Sequence, residues 1–183
     1  MRVGIFGGSF DPVHKGHQTL VHQLKKALSL DKVFIVPAFV SPFKQNNPPI
    51  ATPEERVALL KAAFEDDPDI EILLLEIERG GPSFTIDTIK ELKKRYPNDT
   101  FFLLLSKEMI PTLSLWKDIE DIKNLVTIVF GGVKKSTCQY GEIFPVDQLP
   151  ISSTKIRREG PHAFIEYLDP KVMDYIEKYH LYY

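Results

Sequence analysis

The feature that most constrains this chain is its opening. A short apolar, β-branched run, Arg2–Phe6, ends in Gly7-Gly8, and a helix-like and then a second strand-like segment follow. An apolar run of that length closed by glycines reads as a buried strand entering a loop. From about Gly16 to Leu28, apolar residues Leu20, Val21, Leu24, Ala27 and Leu28 recur at three- and four-residue spacing, the stripe of an amphipathic helix. Lys32–Val36 then makes a second strand, stopped by Pro37. A strand, helix and strand in that order call for a parallel pair with a right-handed crossover.

The alternation continues. Ser41–Ala51, with Pro42, Pro48 and Pro49, is too turn-rich for a regular element and reads as a surface loop. Thr52-Pro53-Glu54-Glu55 combines a cap residue, a proline at the first helical position and acids in the first turn, so a helix runs from there to about Glu65. Ile70–Glu76 reads as strand three. Gly80-Gly81-Pro82 breaks the chain before a helix at Thr85–Arg95, Thr100–Leu105 is strand four and Val126–Phe130 strand five. The expected fold is α/β: a doubly wound, mostly parallel, Rossmann-like sheet of five strands or slightly more, in a single domain over 1–183. Ser152–Glu159 and Asp169–Tyr179 read as helices and make 151–183 a C-terminal helical subregion. Sheets of this kind bind ligands beyond the C-terminal ends of their strands.

Twenty-three Lys and Arg against 25 Asp and Glu leave a formal charge of −2, with no broad basic face for polymeric nucleic acid or an anionic membrane. An anion must therefore be met by a local site. The lone Cys138 can form no internal disulfide and no zinc cluster, which points to a reducing, cytoplasmic setting. The opening apolar run is far too short for the core of a signal peptide, and no stretch approaches the roughly 20 apolar residues of a membrane span. Whether copies of the chain assemble into a homo-oligomer stays open.

Directly after strand one lies Gly7-Gly8-Ser9-Phe10-Asp11-Pro12-Val13-His14-Lys15-Gly16-His17. It lacks the Gly-Lys-Ser/Thr ending of a P-loop and the Gly-x-Gly-x-x-Gly spacing of dinucleotide-binding proteins. Its residue types suit a backbone that passes close to a nucleotide, and that reading takes in Gly7, Gly8, Ser9, Phe10 and Gly16. His14 and His17 are three apart at a helix start, so they can project toward one point where N–H groups and the helix dipole favour an anion. Gly16 between them would let a ligand approach without meeting a Cβ atom. Two histidines at a helix start can also be plain polar surface or capping groups, and they are too few for a zinc site; placement after strand one, among the glycines, favours the anion. Far downstream, Ile151-Ser152-Ser153-Thr154-Lys155-Ile156-Arg157 sets hydroxyls before a helix and an arginine one turn in. Alone it is a cap; facing the same crevice as the first cluster it can close on phosphate oxygens.

Together these segments resemble the nucleotidyltransferase superfamily marked by His-x-Gly-His, here His14-Lys15-Gly16-His17, paired with Ser-Ser-Thr-x-x-Arg, here Ser152 to Arg157. Within it the chain is similar to the bacterial nicotinate-nucleotide adenylyltransferases. The likeness includes Arg79-Gly80-Gly81-Pro82-Ser83-Phe84-Thr85-Ile86-Asp87-Thr88 and an ending with Tyr167-Leu168-Asp169-Pro170, Tyr175-Ile176 and Leu181-Tyr182, so it spans nearly the whole chain. The resemblance implies transfer of AMP from ATP to nicotinate mononucleotide, with ATP and a pyridine mononucleotide as partners and Mg²⁺ arriving with ATP. It implies His14, His17 and Arg157 as catalytic phosphate ligands, with Lys44, Ser153 and Thr154 assisting and Ser106 beside the nucleotide. It also implies Phe84, Thr85 and Trp116 around the pyridine ring. Trp116, the only tryptophan, also fits as a core anchor.

Three departures from the family pattern fall in loops that should shape the adenosine and acceptor pockets: Ser106-Lys107-Glu108 for Gly-Ala-Asp, Pro42-Phe43-Lys44 for Pro-His-Lys, and Gly131-Gly132-Val133-Lys134 where Arg-Pro-Gly is common. Two other readings stay open. One is a sibling transferase with another phosphate acceptor, such as nicotinamide mononucleotide or phosphopantetheine; the other is a catalytically silent nucleotide-binding module.

Overall fold

The computed structural model describes residues 1–183. The first strand, β1 (Arg2–Gly8), has Val3 to Phe6 buried in an unbroken run, as a strand covered on both faces must. It leads into α1 (Lys15–Ala27) and then β2 (Lys32–Pro37), which pairs parallel to β1 with Ile5 opposite Phe34. The proline-rich loop that follows contains one short 3₁₀ turn at Pro42–Lys44. Next, α2 (Pro53–Ala63) starts where Pro53 and a reciprocal cap predict it: Glu55 N–H donates to Thr52 Oγ1 at 3.2 Å, and Thr52 N–H to Glu55 Oε2 at 2.8 Å.

Strand β3 is shorter than the sequence suggests. It covers Ile70–Ile72 only, and the leucines beyond it turn into a short helix, α3 (Leu75–Arg79). β3 has a partner only in Val33–Ile35 of β2, so the apolar run past it finds no ladder and buries Leu75 from a helix instead. Then come α4 (Thr85–Arg95) and β4 (Thr100–Ser106), the latter parallel to β1 with Leu103 opposite Ile5. A 3₁₀ run at Lys107–Leu115 and α5 (Ile119–Leu125) lead to β5 (Thr127–Gly132).

The sheet extends two strands past the five read from sequence. β6 (Ser136–Cys138) and β7 (Gly141–Pro145) form a hairpin whose second strand pairs parallel to β5, giving the order β3-β2-β1-β4-β5-β7-β6. The chain closes with α6 (Ser153–Glu159), a 3₁₀ segment at Pro161–Tyr167 and α7 (Pro170–Tyr179).

Side chains alternate between two apolar layers. Phe6, Val33, Ile35, Phe102 and Leu104 face α1, α2, α6 and α7 through Leu24, Leu60, Ile156 and Ile176. Val3, Ile5, Phe34 and Leu103 face α4 and α5 through Ile86, Ile89 and Ile122. The order of connection reverses at β1, whose neighbours are β2 and β4, and in such sheets the loops leaving the two sides diverge and open a crevice at the carboxyl ends.

Candidate active site

That crevice is a cavity of about 520 Å³. Its floor is the end of β1, Gly7 and Gly8, flanked by Ala38 after β2 and Ser106 closing β4. Twelve of the fifteen residues singled out from the sequence border it. On the side of α1 and α6 these are Ser9, Phe10, His17, Lys44, Ser153 and Arg157. On the side of α4 and the stretch after β4 they are Phe84, Thr85 and Trp116, with Gly7, Gly8 and Ser106 between.

His14, Gly16 and Thr154 are not on the cavity wall. His14 caps α1 with extended backbone at φ −148°, and its N–H donates to His17 Nδ1 at 3.2 Å. The two rings stack with centroids 3.8 Å apart, His17 at the cavity and His14 behind it, buried. Because Nδ1 of His17 accepts, its proton belongs on Nε2, so the histidine that meets the cavity carries an N–H donor there. The space above Gly16 is filled by the protein and not left for a ligand: a Cβ there would lie 3.0 Å from His14 Nδ1 and 3.4 Å from Ile151 Cγ2. Gly16 thus admits the His14 ring. Thr154 is exposed and acts on the site only through Arg157, whose Nη2 donates to its Oγ1 at 3.3 Å.

Both imidazoles are neutral near pH 7. Burial brings His14 down to about 4, and enclosure, with His14 and the Lys44 ammonium adding, pulls His17 well below the usual range. The fixed positive charges come from elsewhere. Lys44 Nζ lies 3.3 Å from Ser9 Oγ, and its own pKa is lowered by burial and then by the neighbouring Arg157. Arg157 Nη1 donates to the backbone carbonyl of Asp11 at 2.7 Å, and Ser153 Oγ donates to that of Pro12 at 2.9 Å, so α6 is stitched to the loop after β1.

Sequence reasoning missed Arg56 and Asp11, which build this loop together with Phe10. Arg56, on α2, is fully buried and donates to the carbonyls of Ser9 and Ala38, each at 2.7 Å, and of Phe39 at 3.2 Å, tying the loop after β1 to the end of β2. Asp11, 1% exposed, is the carboxylate among Lys44, Arg56 and Arg157. Phe10 holds φ +49°, outside the usual range of a non-glycine residue, with its ring over Gly8, where a Cβ would lie 3.0 Å from Phe10 Cζ. The signals were present, an aspartate inside a glycine-rich motif and an arginine among helix apolar residues, but each type is more often solvent-facing.

Across the crevice, Phe84 caps α4 and carries Lys117 Nζ 4.6 Å above its ring. Trp116 is both core and site: it packs on the second apolar layer, borders the cavity and has an indole N–H without a protein partner. Beneath them Glu76 is buried, accepting from Thr88 Oγ1 at 2.6 Å, and burial pushes its carboxyl up. It pins α3 to α4.

The neutral His17 donor at a helix start, Lys44, Arg157 and the hydroxyls of Ser9 and Ser153 thus lie on one side of the cavity, with Phe84 and Trp116 on the other; the chain belongs to the cytidylyltransferase-like family of nucleotidyltransferases, which matches residues 5–159. Its relatives make the grouping finer. It is 36% identical over 188 residues to the nicotinate-nucleotide adenylyltransferase of Bacillus subtilis strain 168, covering 99% of this chain and 98% of that one, which places it with the nicotinate-nucleotide adenylyltransferases. Two solved structures of the Plasmodium falciparum nicotinic acid mononucleotide adenylyltransferase share the fold. The one complexed with NaAD has a TM-score of 0.79 at 22% identity over 99% of this chain and 97% of that one; the one complexed with APC has 0.78 at 21% over 99% and 96%.

Proposed function

We propose that this protein, acting as one nucleotidyltransferase unit in the cytoplasm, joins the AMP portion of ATP to nicotinate mononucleotide, giving nicotinate adenine dinucleotide and pyrophosphate. The carrying observation is the single cavity in which Arg157, Lys44 and His17 border one side while Phe84 and Trp116 border the other. A phosphate oxygen of the acceptor attacks the α-phosphorus of ATP in line, the bond to the bridging α,β-oxygen breaks, and pyrophosphate leaves with that electron pair. No side chain is needed as a nucleophile, since the acceptor brings its own, and catalysis is positional and electrostatic.

His17 Nε2–H, at the amino end of α1, meets the transferring phosphate, where charge gathers in the transition state, and His14 fixes its tautomer and tilt through the N–H to Nδ1 bond. Arg157, Lys44 and the hydroxyls of Ser153 and Ser9 hold the β- and γ-phosphates, and Thr154 steadies the guanidinium. Phe84 and Trp116 take the faces of the pyridine ring, with Thr85 at its edge. No three His, Cys, Asp or Glu side chains gather where they could hold a metal ion, and the carboxylate oxygens of Asp11 are already bonded to protein donors. A Mg²⁺ arriving with ATP would thus be left to phosphate oxygens and water, and would supply charge neutralisation on the pyrophosphate side.

The test is pyrophosphate release from ATP across nicotinate mononucleotide, nicotinamide mononucleotide and phosphopantetheine. Release with the nicotinate form well above the others is expected. Preference for another acceptor makes the chain a sibling transferase, and nucleotide binding with no release from any acceptor makes it a silent module.

A further inference from the structure

The last turn of the chain reaches the triphosphate side of the cavity from behind. α7 ends on His180 in the left-handed region, φ +52°, and Leu181 N–H bonds back to the Ile176 carbonyl at 3.0 Å, a helix stop that reverses the chain. The reversal sends Tyr182 into the first apolar layer, 6% exposed, where its hydroxyl donates to Asp11 Oδ1 at 2.8 Å across 171 residues of sequence. Its backbone sits at φ +65°, a conformation that a bulky residue keeps only where its surroundings impose it. Burial and the adjacent Asp11 push the phenol pKa up, so the hydroxyl remains a donor.

A carboxylate beside an arginine ordinarily takes it in a two-pronged pair. Asp11 does not. Its Oδ2 accepts from Ile50 N–H at 2.8 Å, and its Oδ1 from Ala51 N–H at 3.0 Å and from Tyr182. The approach of Arg157 to the carboxylate is Nε to Oδ2 at 3.7 Å, while its short bond goes to the backbone carbonyl.

We propose that Tyr182 is a positioning residue for ATP: by completing the two bonds on Asp11 Oδ1 it denies Arg157 a two-pronged pair with both carboxylate oxygens, so the guanidinium is held by the Asp11 carbonyl and stays turned to the phosphates. This rests on Arg157 being a phosphate ligand, as under Proposed function. Tyr182→Phe retains the buried ring and removes the hydroxyl, which frees a lone pair on Asp11 for the guanidinium. The expected result is a KM for ATP raised roughly 3–10-fold, the scale of one oriented hydrogen bond, with the KM for nicotinate mononucleotide unchanged. Tyr183→Phe, whose hydroxyl meets the exposed His162 instead, leaves both unchanged.

A double-mutant cycle with Arg157→Ala separates the outcomes, read as ATP affinity by calorimetry below the melting range of every variant. If Tyr182 acts through Arg157, Tyr182→Phe has no further effect in the Arg157→Ala background. An equal effect in both backgrounds, or a rise in both substrates' KM together, overturns the proposal and leaves the phosphate role of Arg157 standing. Unchanged ATP affinity on Arg157→Ala alone sinks both. Should Tyr182→Phe not fold, a chain ended after Leu181 replaces it in the same cycle, with the same three outcomes.

Discussion

His14 is 6% exposed, and burial holds its imidazole at about 4 against an ordinary 6.5. As the pH falls, the unfolded chain takes up this proton near 6.5 and the folded chain only near 4. Between those values the unfolded state binds more protons, so the contribution is complete above 6.5 and is lost as the pH drops through 4. The gap is worth about 3 kcal/mol. His14→Gln removes the titration and keeps a polar side chain. Relative to pH 7, the wild type at pH 4 should have lost about 3 kcal/mol more than the variant, a difference of about 6–12 °C in melting midpoint for a chain of this size. Thermal unfolding followed by circular dichroism in half-unit steps from pH 7 to 4 measures it. His17, shifted the same way, keeps its burial in both proteins but loses the push from His14 in the variant, which adds to the difference in the same direction. Parallel midpoint curves for the two proteins would refute the reasoning, since the buried ring would then titrate alike folded and unfolded.

His17→Ala should lower turnover by roughly 10²–10³, as loss of a transition-state donor does, and, by stranding the His14 N–H, cost about 1–3 kcal/mol of stability; steady-state kinetics beside a melt checks both. Trp116→Ala should raise the KM for nicotinate mononucleotide about tenfold or more, as lost ring stacking does, and leave that for ATP within about twofold, read from initial rates with each substrate varied in turn. Arg56→Met strands the carbonyls of Ser9, Ala38 and Phe39, and should cost about 3–5 kcal/mol in a urea melt.

Much of this fold is written in local pattern. β1, α1 and β2 follow from one apolar run, one stripe and one proline, and α2 from a cap and Pro53. The failures share a cause. Ile70–Glu76 reads as one strand, and only its tertiary pairing, which stops at Ile35 opposite Ile72, shows where the strand ends and α3 takes over. β6 and β7 carry little alternation of their own and exist because β5 presents an edge for Gly141–Pro145. The same holds at the site. The residues that border the cavity sit in recognisable motifs, whereas Asp11, Arg56 and Tyr182 owe their burial to partners 17 to 171 residues away, which no local spacing reveals. Gly16 shows the limit of reading a glycine alone: its missing Cβ makes room for a neighbour's ring, which only coordinates distinguish from room for a ligand.

The seam between β1 and β4 has an evolutionary corollary. The residues proposed to hold the phosphates hang from the elements packed on one layer of the sheet, and the aromatic pair from those packed on the other, with only the strand ends in common. On the proposed function, mutations in the stretch from Lys107 to Lys117 would drift toward a different acceptor while the phosphate side keeps its geometry, so one scaffold would be re-addressed to new substrates by changing half of its mouth.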